Sequence, residues 1–265
     1  MIIDLFFNTL IKNLCIMVNM EFIILILVFV ASYLLGSISF ARIVTKLWSG
    51  KDVADFEVPN EGNEEPNKVS AIGANAVSSA LGPMAGMLVS VLDILKVTLL
   101  ILLTKRYLPD NSWAPILAAL GGMIGHNWPI YYRFHGGSGY STIMGAMLVF
   151  DPLAVLVTPL IGVFLGVVVF HSYLIATVSW MWLLIPWLWL RKPGQIEYIF
   201  YAFFVNILFI LAMIPDFKMA MKNKNYVSNV RSSTPMGRGY IKMARALGFN
   251  FDDTSEDEKS EDSAG

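Results

Sequence analysis

Apolar residues run along this chain in tracts of 17–20, with polar residues gathered between them. The tracts fall at about 22–41, 84–104, 113–132, 152–170, 173–190 and 198–214, and a shorter one lies at 140–150. A helix rises about 1.5 Å per residue, so about 20 residues cross a hydrocarbon core about 30 Å thick. The pattern predicts an all-α, polytopic membrane protein with about seven transmembrane helices, one of them short. Gly82-Pro83 and Asp151-Pro152 punctuate it, and Asp before Pro is a helix-start signal. Residues 42–68 read as a polar loop, acidic and rich in Pro and Asn. In residues 1–20, Asp4, Asn8 and Lys12 recur every four positions, giving one polar face on an interfacial helix. Asp4 and the lack of a basic leader argue against a signal peptide. Residues 21–215 form the membrane domain, and 216–265 a tail whose end, "DDTSEDEKSEDSAG", reads as disordered and solvated.

Composition supports this class: 56% of residues are hydrophobic and only 15% charged, and mean hydropathy is +0.61, well above the soluble balance. A net charge of −1 names no partner and gives no basis for nucleic-acid binding. The one cysteine, Cys15, excludes an internal disulfide framework and offers no metal site. No dinucleotide-binding glycine fingerprint, zinc-type histidine pair or Ser–His–Asp elbow is present, and no cofactor is expected.

Charge in the connections sets the orientation. If every tract crosses and the N-terminus is outside, nine basic residues near span ends face inward: Arg42, Lys46, Lys51, Lys68, Arg133, Lys218, Lys222, Lys224 and Arg231. Five face outward: Lys12, Lys105, Arg106, Arg191 and Lys192. If 140–150 does not cross, the best count is seven against seven, so the positive-inside rule favours seven spans and a cytoplasmic tail. The end of the first span, the loop at 134–142 and the start of the tail then share the cytoplasmic side.

Candidate chemistry collects there. Asp93 and Lys96 lie inside the second span at i and i+3, on one helix face. Each costs about 2.5–3.5 kcal/mol at a helix centre, so the pair is either a self-compensating structural bridge or an anion-binding lysine held by an aspartate. The first span ends "LLGSISFARIV", where Gly36, Ser37 and Ser39 suit helix contacts or hydrogen bonds. His126 and Asn127 precede Pro129, and His126 reads as a helix-contact residue or a base. "FHGGSGYST", residues 134–142, turns through three glycines before an apolar run; such loops expose N–H groups that cradle phosphate.

The order of these pieces resembles the membrane acyl-phosphate:glycerol-3-phosphate acyltransferases of bacteria, the PlsY family. The motifs are "SYLLGSISFARIVTKLWSGKD", "AIGANAVSSALGPMAGMLVSVLDILK", "GGMIGHNWPIYYRFHGGSGYST" and "LVFDPLAVL", within residues 32–155. The resemblance implies seven membrane helices with a site on the cytoplasmic side of the cell membrane. It implies acyl transfer from an acyl phosphate to the first hydroxyl of glycerol 3-phosphate, giving lysophosphatidate and phosphate among membrane lipids. Gly36 and Ser37 match the family's Gly-Ser, Asp93 and Lys96 its D-x-x-K, and Gly125 and His126 its Gly-His. Gly136, Gly137, Gly139 and Thr142 match its G-G-K-G-x-A-T loop. By this correspondence Lys96 and Ser37 are the candidate catalytic groups. Gly136, Gly137, Gly139, Thr142, His126 and Asn75 are the candidate substrate-binding residues, and Asp93 pairs with Lys96.

The chain also departs from the pattern. Ser138 replaces the loop lysine. The G-S-G-N-x-G-A-T-N segment becomes "KVSAIGANA", with Asn75 at the threonine and Ala76 at the last asparagine. The arginine before that segment is missing, and residues 52–68 hold an insertion. "MIPDFKMAMK" occupies the place of a C-terminal H-x-x-N-I. A charged hydrogen bond is worth about 1.5–3 kcal/mol, so each loss is roughly ten- to a hundredfold unless replaced. Arg133, His135, Lys68 and Lys218 are the candidates to replace it. Two other functions stay open: a non-catalytic lipid-binding relative, and a small-anion transporter suggested by the intramembrane pair.

Overall fold

The computed structural model describes residues 20–58, 67–68, 71–222 and 235–248. The expected interfacial segment before Met20 and the acidic end of the chain lie outside the described residues. Among the described residues, apart from one two-residue antiparallel pairing, Glu57–Val58 with Asn67–Lys68, the regular structure is helical. Eleven helices are described: α1 (20–36), α2 (Phe40–Ser49), α3 (Ala74–Leu81), α4 (Pro83–Tyr107), α5 (Trp113–Asn127), α6 (Tyr140–Phe150), α7 (Pro152–Phe164), α8 (Tyr173–Trp182), α9 (Leu184–Arg191), α10 (Ile196–Lys222) and α11 (Pro235–Ala246).

Among the described residues five stretches are long and apolar enough to cross a membrane: Met20–Ser49, Pro83–Tyr107, Pro152–Val169, Tyr173–Arg191 and Ile196–Pro215. The other two tracts make shorter helices, α5 of 15 residues and α6 of 11. At about 1.5 Å per residue both fall short of the bilayer core. The sequence pattern marks only α6 as short. The 113–132 tract ends early because Trp128 precedes Pro129, which disfavours helical backbone at Trp128 (φ −129°, ψ 70°).

Three other differences bear on the site. The first span is broken at 37–39, and the helix restarts at Phe40 with Ser39 as its cap. The supposed loop after residue 41 continues as α2, which buries Ala41, Val44 and Thr45. The last span also runs past residue 215. α10 runs on to Lys222, and α11 packs Tyr240 and Ala244 against Val167 and Ala176 of the membrane body.

Small residues set the helix spacing. A Cβ on Gly125 would collide with Tyr33 O, and one on Gly36 would lie 2.8 Å from Gly122 Cα, so α1 and α5 touch through their backbones. A Cβ on Gly145 would stand 2.5 Å from Ile94 O, which seats α6 on α4. There the Thr98 hydroxyl donates to Gly145 O (2.9 Å) and Ser90 meets Ser141 (3.1 Å). α6 and α7 turn about Asp151. Its carboxylate accepts from the Leu153 N–H (3.1 Å) and pairs with Arg191 (2.8 Å). The main core lies between α4, α5, α6, α8, α9 and α10, around Ile101, Met123, Met147, Met181 and Tyr201. Large apolar side chains such as Leu27, Met84, Leu160 and Trp189 remain exposed, as a lipid-facing surface requires.

Candidate functional site

The break in the first span is held by a side chain from another helix. Lys96, on α4, donates to Gly36 O (2.9 Å), Ile38 O (2.8 Å) and Asp93 Oδ1 (3.1 Å). An ammonium has three protons, and all three are engaged. Helix-end carbonyls cannot be left bare in a membrane interior, and here the lysine supplies the missing donors. The Lys96 side chain is 6% exposed and that of Asp93 2%, so the pair is removed from solvent.

Asp93 links onward. Its Oδ1 is 3.5 Å from His126 Nδ1, and the other edge of the His126 ring lies against Gly137, where a Cβ would overlap Nε2. Gly137 N–H donates to His126 O (3.1 Å), and Gly136 O accepts from Ile72 N–H (2.8 Å). A Cβ on Gly73 would be 3.8 Å from Gly137 Cα. The glycine loop is therefore gripped between the end of α5 and the start of α3. Gly139, at φ 95°, then begins α6 without a side-chain cap, and Gly73 begins α3 likewise. Two helix N-termini, each with unpaired first-turn N–H groups, converge on one glycine loop. That arrangement favours an anion by partial charge and by direct hydrogen bonds.

The structure thus brings Gly36, Ser37, Asp93, Lys96, His126, Gly136, Gly137, Gly139 and Thr142 into one connected cluster. Two of the hydroxyls are occupied. Ser37, fully buried, donates to Tyr33 O (2.8 Å) and accepts from Ile130 N–H (3.4 Å). Thr142 donates to Gly139 O (2.7 Å). Asn75 stands on the first turn of α3 with an exposed side chain. Among the described residues no group of three or more His, Cys, Asp or Glu could hold a metal ion.

Two neighbours of the cluster carried no role in the sequence reading. Asn127 is 3% exposed, and neither its amide oxygen nor its amide nitrogen has a partner. It faces Gly139, where a Cβ would come within 2.9 Å of Oδ1. Its only signal was position, one residue after His126. Arg42, on α2, meets Asp52 (2.7 Å), His135 O (3.4 Å) and the ring of Tyr132 (4.9 Å). It lines a cleft of about 310 Å³ with Tyr131, Tyr132, Arg133 and His135. Its signal was its place among the basic residues expected to face inward, at the end of the first apolar tract. Of the four expected replacement cations, Arg133 and His135 reach this cleft. Lys218 is exposed on α10, and the side chain of Lys68 lies outside the described residues.

A family model described as glycerol-3-phosphate acyltransferase matches residues 26–223. Over 148 residues the chain is 33% identical to a protein of that name from Halalkalibacterium halodurans, covering 56% of this chain and 66% of the relative. With glycerol-3-phosphate acyltransferase 2 of Bacillus anthracis it shares 37% identity over 132 residues, covering 50% and 63%. With the Lacticaseibacillus casei protein it shares 30% over 176 residues, covering 59% and 80%. The chain therefore spans a little under two thirds of the first curated relatives it matches. Two crystal structures of PlsY, an integral membrane glycerol 3-phosphate acyltransferase, share the fold. The lysophosphatidic acid form gives a TM-score of 0.60 at 23% identity, and the glycerol 3-phosphate form 0.56 at 26%. Each match covers 75% of this chain and 92% of the other. With five apolar helical stretches of crossing length among the described residues, the chain is an integral, multi-pass membrane protein.

Proposed function

The chain belongs to the glycerol-3-phosphate acyltransferase family, and on that premise we propose that it transfers an acyl chain from an acyl phosphate to glycerol 3-phosphate. The hydroxyl oxygen of the acceptor attacks the acyl carbonyl carbon. The bond from that carbon to the phosphate oxygen breaks, and the departing phosphate takes the hydroxyl proton. Lysophosphatidate and inorganic phosphate result, at the cytoplasmic face of the cell membrane, within the domain at 21–215.

The observation that carries this reading is the glycine loop at the meeting point of two uncapped helix N-termini. Gly136, Gly137 and Gly139, with the first turns of α3 and α6, suit the phosphate of the acyl donor, and Thr142 fixes the turn. A leaving phosphate gains charge as the carbonyl bond breaks, so fixed N–H dipoles there act on the transition state. Lys96 and Ser37 belong beside the reacting carbonyl. A direct contact from either to substrate exchanges one of the bonds described above for a bond to substrate oxygen. Otherwise they work by holding the broken helix and the loop in register, which is a contribution of position. Asn75, at the exposed start of α3, sits at the rim.

Protein purified in detergent should release phosphate from palmitoyl phosphate only when glycerol 3-phosphate is added, with lysophosphatidate formed in equal amount. Folded protein that releases none refutes the proposal. Binding of acyl phosphate without turnover is the second reading, favoured by Ser138 in place of the loop lysine and by the full engagement of Lys96.

A further inference from the structure

The turn after α5 is strained, and positive charge collects on it. Arg133 and Phe134 are consecutive left-handed residues, at φ 52° and 60°, a conformation that side chains disfavour and that surrounding structure must impose. Here Phe134 N–H donates to Pro129 O (3.0 Å), His135 N–H to Tyr132 O (3.1 Å), and His135 Nδ1 lies 2.7 Å from Arg133 O. The turn carries Arg133 and His135 to the cleft that Arg42 enters from α2. Among the described residues no carboxylate lines this cleft. Asp52 engages the Nη1 corner of Arg42 at 2.7 Å. The Nε of Arg42 has no partner, and its Nη2 makes one long bond of 3.4 Å, to His135 O. The side-on edge of the guanidinium, Nε with Nη2, is thus under-bonded, and that edge matches two oxygens of a phosphate. The cleft adjoins the glycine loop through His135, one residue before Gly136.

We propose that Arg42 and Arg133, with His135, hold the phosphate monoester of the polyol acceptor, replacing in space the lysine lost at Ser138. This rests on the acyl-transfer reading above. The chemistry recognised is a terminal phosphate, which both substrates possess; the cleft is assigned to the acceptor because the glycine loop beside it suits the donor. Tyr131 and Tyr132 also line it.

The test is steady-state kinetics on wild type, Arg42→Gln and Arg133→Gln, varying each substrate in turn, with Lys46→Gln, exposed on α2, as control. Both cleft variants should raise KM for glycerol 3-phosphate roughly 10- to 100-fold, the loss of one charged hydrogen bond, and change KM for palmitoyl phosphate by less than about threefold. A rise confined to palmitoyl phosphate, or acceptor KM within about threefold of wild type in both variants, overturns the assignment. Arg133 is exposed, so its variant is readable even if Arg42→Gln fails to fold. Equilibrium binding of radiolabelled glycerol 3-phosphate is measured on the same proteins. If wild type turns nothing over, the acyl-transfer reading falls, and the binding arm still decides the cleft. Binding by wild type that is lost in the variants supports it, whereas equal binding by all, or binding by none, overturns it.

Discussion

Lys96 is the residue whose replacement tests the architecture most directly. Lys96→Met keeps an unbranched side chain, one atom shorter, and removes its charge. It leaves Gly36 O and Ile38 O without their donor and Asp93, 1% exposed, without its cationic partner. Breaking a buried pair by removing one member costs about 3–5 kcal/mol, chiefly because the remaining charge stays buried and uncompensated. The two carbonyls add to this, while His126, 3.5 Å from Asp93, offsets part of it. A net loss on the order of 3–5 kcal/mol lowers the midpoint of thermal unfolding by roughly 10 °C for a chain of this size. Circular dichroism of the detergent-solubilised protein, heated in parallel with wild type, reads it. Asp93→Asn combined with Lys96→Met removes the stranded charge and should recover part of the loss. A single variant that unfolds within about 2 °C of wild type refutes the claim that the ammonium fastens the broken helix.

Other variants read other contacts. Gly137→Ala drives a methyl into His126 Nε2, whereas Gly73→Ala adds one at ordinary contact distance, 3.8 Å from Gly137 Cα. Overpacking costs about 1–3 kcal/mol, so phosphate release should fall at least roughly tenfold in Gly137→Ala and stay within about twofold in Gly73→Ala. Asn127→Leu removes a buried amide with no partner, so its melting midpoint should equal or exceed that of wild type while phosphate release falls. Asp151→Ala loses both a helix cap and the Arg191 partner. It should cost about 1–2 kcal/mol, seen as a midpoint lower by a few degrees with turnover at 20 °C unchanged.

The hydrophobic tracts located five helical stretches of crossing length and the shorter α5 and α6, and Pro83 and Pro152 each open a helix, because both signals are local. The break at 37–39 was hidden because its cause is distant: the donor that makes it tolerable comes from Lys96, 60 residues from Gly36 in the chain. Averaged apolarity cannot report such a donor. α2 was missed for a related reason. Lys46, Ser49 and Lys51 make the stretch look like a loop, while the residues it buries, Ala41, Val44 and Thr45, are small and inconspicuous. Lys96, His126 and the glycines were legible as a set, but not the relay joining them. Spacing showed that Asp93 can face Lys96, and only packing shows that Asp93 also faces His126. Arg42 was counted for orientation and given no role because its guanidinium meets residues 52, 132 and 135 only after folding.

The relay explains how this chain can depart from its family's pattern without losing the fold. Lys96, Asp93 and His126 are costly residues to bury; Lys96 offsets part of that cost by satisfying Gly36 O and Ile38 O, which the broken membrane helix would otherwise leave bare, while Asp93 pairs with Lys96 and meets His126. They form one mechanical unit, from the end of α1 through α4 and α5 to Gly137. Changing any of them strands the others. Ser138 makes none of the relay's bonds, so the substitution that the family resemblance implies there leaves each of them in place. On the proposed reading, that substitution falls at the phosphate loop and not in the bonds that hold the fold. A cation can then be supplied from another segment, provided that its side chain reaches the same mouth, and Arg42 on α2 is placed to do so because the break that Lys96 stabilises turns the chain toward His135.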